Sequence, residues 1–174
     1  MELRHAVLGL LSLRPMSGYD LGRAFAGSVA HFWHADQSQI YRTLERLAAD
    51  GALETKVIPQ DGKPDRKVHS LTTSGRRELE DWLGSPIDKE RPKEAFLARL
   101  FFAGPLDREG VERLLAEREE QVEATRRALG SVDVPGDDLA AVLRAATLRN
   151  GVIHAEAELA WLRETRRRLT DTKD

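Results

Sequence analysis

Leu44, Leu47 and Ala48 recur at helical spacing along one face of a segment whose exposed N-terminal half carries Ser38, Gln39 and Arg42. Gly51 is a natural stop for that helix. Beyond it Leu53, Thr55 and Val57 alternate with Glu54, Lys56 and Ile58, so a strand with one packed face is expected. A Gly/Pro turn at residues 60–65 joins this run to a second β-prone run, residues 66–72, in which Val68 and Leu71 break the alternation. Helix, strand, basic turn and strand in that order predict a winged helix-turn-helix, with the amphipathic segment as its recognition helix.

The flanking sequence completes the pattern. Leu3, Val7, Leu8, Leu10 and Leu11 predict an apolar first helix that ends near Arg14 and Pro15, because proline disfavours helix in the residue before it. Ser17 can cap a second helix over residues 18–25, and Gly27 with Ser28 marks its end. The third helix is expected from residue 37 to about residue 50. Thr73 or Ser74 starts a fourth, carrying Leu79, Trp82 and Leu83, and Gly84, Ser85 and Pro86 close a first domain of residues 1–86. The fold class expected is mainly α, with α+β character from the hairpin: an N-terminal winged helix-turn-helix and a C-terminal helical domain, residues 87–174.

In the second domain Ala95, Phe96, Leu97, Leu100, Phe101 and Phe102 predict a short helix ended by Gly104 and Pro105. Val111, Leu115, Arg118, Val122, Thr125 and Leu129 then recur at alternating four- and three-residue spacing, with Leu114 widening the stripe, as a helix packed along another helix requires. The last helix has two stripes: Leu139, Leu143, Ala146, Ile153, Ala157 and Ala160, and Leu148, Val152, Ala155, Leu159 and Leu162. Three helices cannot cover both, so one stripe is expected to meet a second subunit in a homodimer. A two-fold axis would place two recognition helices over half-sites about one DNA turn, roughly 34 Å, apart.

Charge locates the contact surface. The chain of 174 residues has a formal net charge of −2, which argues against purely electrostatic binding of nucleic acid. Between Lys56 and Arg77, however, six basic residues stand against two acidic ones, a local excess of +4 centred on the wing. The expected DNA-facing set is therefore Ser38, Gln39 and Arg42 for base edges, and Lys63, Arg66 and Lys67 for phosphates.

Other chemistries find little support. There is no cysteine, so no disulfide framework, thiolate metal site or thiol nucleophile can form. His31 and His34 lie three apart near Asp36, but no third ligand is signalled, and Phe32 and Trp33 between them point to packing; neither a metal nor a cofactor is expected. Ser17-Gly18 is not a nucleophile elbow and Gly62-Lys63-Pro64 lacks phosphate-loop spacing, so catalysis is not expected. No apolar stretch approaches the roughly 18 residues of a membrane helix and no leader pattern opens the chain, so a cytoplasmic protein is expected. Phe32, Trp33, Phe96, Phe101, Phe102, His154 and Trp161 offer aromatic walls with few polar handles, and a cavity for a small aromatic or hydrophobic effector is expected where the two domains meet.

The stretches LGLLSLRPMSGYDL, FWHADQSQIYRTLERLAADG and DGKPDRKVHSLTTSGRREL, about half the chain, resemble the PadR family of transcriptional regulators. By length and pattern the helical remainder resembles the longer-tailed subgroup, whose C-terminal helices make the dimer. The resemblance implies a repressor that binds a palindromic operator on double-stranded DNA and is often released by a small aromatic or hydrophobic ligand. It also implies DNA contact at Tyr19, Ser38, Gln39, Tyr41, Arg42, Lys63, Arg66 and Lys67. Two positions depart from the family pattern: Arg42 stands where many relatives carry Pro, and His69 where many carry Tyr. The alternative from another class is a winged-helix module that binds protein without specific DNA binding, which a shallow salt dependence of DNA binding would reveal.

Overall fold

The computed structural model describes residues 2–27, 29, 32–33, 35–62, 65–87 and 94–171. In chain order the elements are α1 (Leu3–Leu13), β1 (Met16–Ser17), α2 (Gly18–Ala26), α3 (Gln37–Ala49), β2 (Leu53–Ile58), β3 (Arg66–Leu71), α4 (Thr73–Leu83), α5 (Ala95–Phe101), α6 (Arg108–Gly130) and α7 (Leu139–Asp171). They divide into two compact units, residues 1–90 and 91–174.

In the first unit α1 buries Val7, Leu8, Leu10 and Leu11, α2 buries Leu21 and Phe25, and α3 buries Ile40, Leu44 and Leu47 in one core. The helix ends are chemically fixed. Ser17 Oγ accepts from the Asp20 N–H while the Asp20 carboxylate accepts from the Ser17 N–H, a reciprocal cap that starts α2. The end of α3 turns at Gly51, φ 74°, where the Gly51 and Ala52 amides donate back to the Ala48 and Leu47 carbonyls. Ala52 is then buried beside Leu47 in the core, so the chain leaves α3 in one direction only. Arg4 joins three helices by a bidentate pair with Glu78 of α4 and a 2.6 Å bond to Asp50 at the end of α3. Those bonds, the Glu78 one first, raise the Arg4 pKa, and the Arg4 bond lowers that of Glu78.

The sheet differs from a simple hairpin. Its order is β1-β3-β2, all antiparallel, with Met16 opposite His69 and Ser17 opposite Val68. β3 is thus the central strand, which buries His69; its Nδ1 lies 2.9 Å from Thr55 Oγ1, and burial, then Lys67, lowers the imidazole pKa. The alternation in β2 predicts packing of Thr55 and Val57 beside Leu53, but only Leu53 is buried, and Val57 is 50 % exposed. β2 is an edge strand, paired on one side only, and every residue after Leu53 in it is exposed.

In the second unit α6 and α7 run antiparallel: Glu112 pairs with Arg166, and Arg118 with Glu158. Their seam buries Leu115 and Val122 against Ala155, Leu159 and Leu162, with Phe96 and Leu100 of α5 packed alongside. Arg118, at a seam position, makes a bidentate pair with Glu158 at 2.7 and 3.0 Å and stacks over Phe96, which is how a cation is accommodated there. Of the two α7 stripes, Leu148 to Leu162 packs within the chain, whereas Leu139, Leu143 and Ile153 of the other are exposed.

Candidate nucleic-acid interface

With Ile40, Leu44 and Leu47 turned inward, the 100° step of a helix puts Ser38, Arg42 and Glu45 on the opposite, outward face of α3. Ser38 and Arg42 are therefore exposed and point away from the core. Tyr41 sits on the flank towards α2 and is 45 % exposed; a Cβ at Gly18 would come within 2.4 Å of its ring, so the missing side chain makes the notch that seats Tyr41. Tyr19, next in α2, is 64 % exposed beside that notch.

Gln39 is differently employed. Its Oε1 accepts from the Asp36 N–H at 3.1 Å, closing a cap at the start of α3, so a two-bond amide contact to adenine would first have to release that cap. Asp36-x-x-Gln39 is a capping signature visible in the sequence.

The wing is likewise only partly available for phosphate contact. Arg66 donates to Asp20 at 2.7 Å, and that carboxylate also accepts from the Ser17 hydroxyl at 2.7 Å and the Ser17 N–H at 3.0 Å. The Ser17 bonds first, then Arg66, push the Asp20 pKa down to about 2. Asp20 thus ties the start of β3 to the start of α2 and offsets the Arg66 charge. Lys67 is exposed on β3, and Lys63 lies outside the described residues.

Arg46, four residues after Arg42, was not among the expected contacts. Arg42, Thr43, Arg46 and Gln39 line an open cavity of about 420 Å³ with Leu3 and Trp33. Neither arginine has a carboxylate partner among the described residues, which leaves two guanidinium groups on one stretch of the recognition helix. The four-residue interval between them was the legible signal.

The expected aromatic set is only partly gathered. Phe96 and Trp161 meet edge to face at 6.2 Å, beside a cavity of about 210 Å³ lined by Phe96, Arg99, Leu114 and Arg118. Phe101 and Phe102 contact each other at 5.0 Å but are 82 % and 72 % exposed. Phe32 and His154 are exposed and Trp33 is half-buried. His31 and His34 lie outside the described residues; among the described residues no group of three potential ligands could hold a metal, and no helix is long and apolar enough to cross a membrane.

Residues 7–81 match the transcriptional regulator PadR-like family, and residues 92–170 match the virulence activator alpha C-term family. The chain thus carries a PadR-like region followed by a region like the virulence activator alpha C-terminus. It is 40 % identical over 92 residues to a probable transcriptional regulator of Mycobacterium tuberculosis, covering 53 % of this chain and 49 % of that protein. It is 38 % identical over 109 residues to the negative transcriptional regulator PadR of Bacillus subtilis, covering 62 % of this chain and 59 % of PadR. The aligned stretch thus spans about half the length of the curated relatives it matches. The fold is similar over more of the chain. Bacillus subtilis PadR in complex with operator DNA superposes with a TM-score of 0.80 at 27 % identity, over 96 % of this chain and 98 % of that one. The same regulator in complex with p-coumaric acid superposes with a TM-score of 0.72 at 26 % identity, over 97 % and 98 %.

Proposed function

We propose that this chain is a sequence-specific DNA-binding transcriptional regulator, acting as a homodimeric repressor on a two-fold symmetric operator. The observation that carries the reading is the outward face of α3, where Ser38 and Arg42 project away from the core with Arg46 on the adjoining flank. Likeness to a regulator solved on operator DNA supports it. In this reading the dimer presents two α3 helices to successive major grooves, Lys63 and Lys67 of each wing hold phosphates, and Ser38, Tyr41 and Arg42 sample base edges. Repression is steric: an occupied operator excludes polymerase. The protein is a binder rather than an enzyme, and it works in the cytoplasm, where its DNA is.

A small aromatic or hydrophobic effector would release the DNA by favouring a dimer geometry in which the two α3 helices no longer match the groove spacing. The likeness to a regulator solved with p-coumaric acid supports that part. A hundredfold loss of affinity requires about 2.7 kcal/mol of difference between the two geometries.

The test is a salt titration of operator binding. Arg42→Ala and Lys67→Ala should each lower affinity and flatten the logarithmic salt slope by about one phosphate contact. Arg66→Ala should flatten it less, because Asp20 already offsets that charge. A wild-type affinity indifferent to salt would reject the DNA reading in favour of a protein-binding winged helix.

A further inference from the structure

The outward face of α3 carries a carboxylate where the phosphates of a duplex would repel one. Glu45 is exposed and shares that face with Ser38 and Arg42. Its neighbours one helical turn away, Tyr41 and Ala49, carry no charge, so no i,i+4 ion pair accounts for it. Among the described residues the Glu45 carboxylate has no hydrogen-bond or ion-pair partner, not even Arg42 three residues before it. Resting on the DNA-binding reading above, we propose that Glu45 is a specificity-determining residue, which accepts a hydrogen bond from the amino group of a cytosine at the base pair next to the one that Arg42 reads.

Position comes first. A recognition helix laid in a major groove reaches base edges from residues three, four and seven positions after its first contact. Counted from Ser38, those residues are Tyr41, Arg42 and Glu45, and all are exposed. Ile40, Leu44 and Leu47 hold the other side of α3 in the core, so this face cannot turn away from the groove. From Arg42 to Glu45 the helix climbs about 4.5 Å, close to the roughly 3.4 Å between neighbouring base pairs.

Base chemistry names the target. A carboxylate only accepts hydrogen bonds. In the major groove guanine shows it two acceptors, N7 and O6, and thymine shows the acceptor O4 and a methyl group. Adenine sets the N7 acceptor beside its amino donor, whereas cytosine presents the N4 amino donor with no acceptor on its own edge. By the same rule Arg42, which only donates, suits guanine. Phosphates repel Glu45 on every sequence, and Arg42 and Arg46 offset that repulsion, since the three side chains sum to a charge of +1. A carboxylate in this place therefore weakens binding wherever no amino group meets it, which raises specificity at the expense of affinity.

The test compares wild type with Glu45→Ala and Glu45→Gln, first by selection from a random duplex library. Affinities then follow on the selected operator, on the same operator with that cytosine changed to thymine, and on a scrambled duplex. Glu45 is exposed, and Ala and Gln both favour helix, so both variants fold. Wild type should select cytosine at one position of each half-site, beside a guanine whose selection Arg42→Ala abolishes. Thymine at the cytosine position should weaken wild type by about fivefold or more, while Glu45→Ala should bind both duplexes within about twofold of each other. Glu45→Ala should also bind the scrambled duplex more tightly than wild type, and Glu45→Gln should move the preference towards adenine, whose donor and acceptor an amide can meet together. A Glu45→Ala protein that keeps the wild-type preference, or that binds all three duplexes more tightly by one common factor, overturns the proposal and leaves the DNA-binding reading standing. A wild type that selects no sequence overturns that reading too.

Discussion

Asp20→Asn removes one charge from the junction of α2 and the wing with almost no change of shape. The Asp20 carboxyl falls from an ordinary value of 3.8 to about 2 in the folded chain. Since the folded value lies below the unfolded one, the ionised group stabilises the fold at every pH above about 4, and that stabilisation drains away as pH falls towards 2. The gap is worth at most about 2 kcal/mol. The side chains of Asp20 and Arg66 keep 22 % and 47 % exposure, and solvent screening brings the expected loss to about 1 kcal/mol. Urea unfolding of both proteins at pH 7 should show that loss, and at pH 3 the difference should shrink to about half. The Ser17 hydroxyl is the first cause, so Ser17→Ala should raise the Asp20 carboxyl in an NMR titration more than Arg66→Ala does. A difference that stays constant between pH 7 and pH 3 would refute the charge argument and leave only a helix cap; no difference at pH 7 would refute both.

Gly75→Ala should destabilise strongly, by roughly 1–3 kcal/mol or more, because the new Cβ would meet the Ala52 carbonyl oxygen at 2.1 Å and neither backbone can give way. Gly18→Ala meets only the half-exposed Tyr41 ring and should cost less, so equal losses in thermal melts would contradict the packing at both sites. Gln39→Ala should cost about 1 kcal/mol through loss of its bond to the Asp36 amide, and should alter base preference less than Arg42→Ala does. Selected-sequence binding of the two variants checks the second point. Leu47→Ala, which empties a fully buried site, should lose about 2–5 kcal/mol in urea unfolding.

Much of this was legible because local chemistry and tertiary packing agree. The inward face of α3 follows from Leu44 and Leu47 at helical spacing, and its end from Gly51, the residue type that tolerates φ 74°. β1 was not legible: two residues carry no alternation, and Met16 and Ser17 become a strand only because His69 and Val68 of β3 pair with them from more than 50 residues away. For the same reason the buried position of His69 could not be read from a run of β-prone residues, since it depends on β3 lying in the middle of the sheet. In β2 alternation overstated packing, because period two reports a half-buried strand only where a second layer reaches it. The Arg66–Asp20 pair joins positions 46 apart, so the sequence placed Arg66 among the phosphate-binding cations without its counter-charge. The Gln39 cap, by contrast, was present in the Asp36-x-x-Gln39 spacing, and the reading of Gln39 as a base contact obscured it. The two stripes of α7 were legible as two partners' worth of surface, and the structure shows which one packs on α6.

Selection of bound sequences from a random duplex library tests the central claim most directly. The account predicts enrichment of a two-fold symmetric site whose half-sites lie about one helical turn, roughly 34 Å, apart, with binding that weakens steeply as salt rises. Recovery of no preferred sequence, or of a single asymmetric half-site, would contradict a dimeric operator-binding regulator.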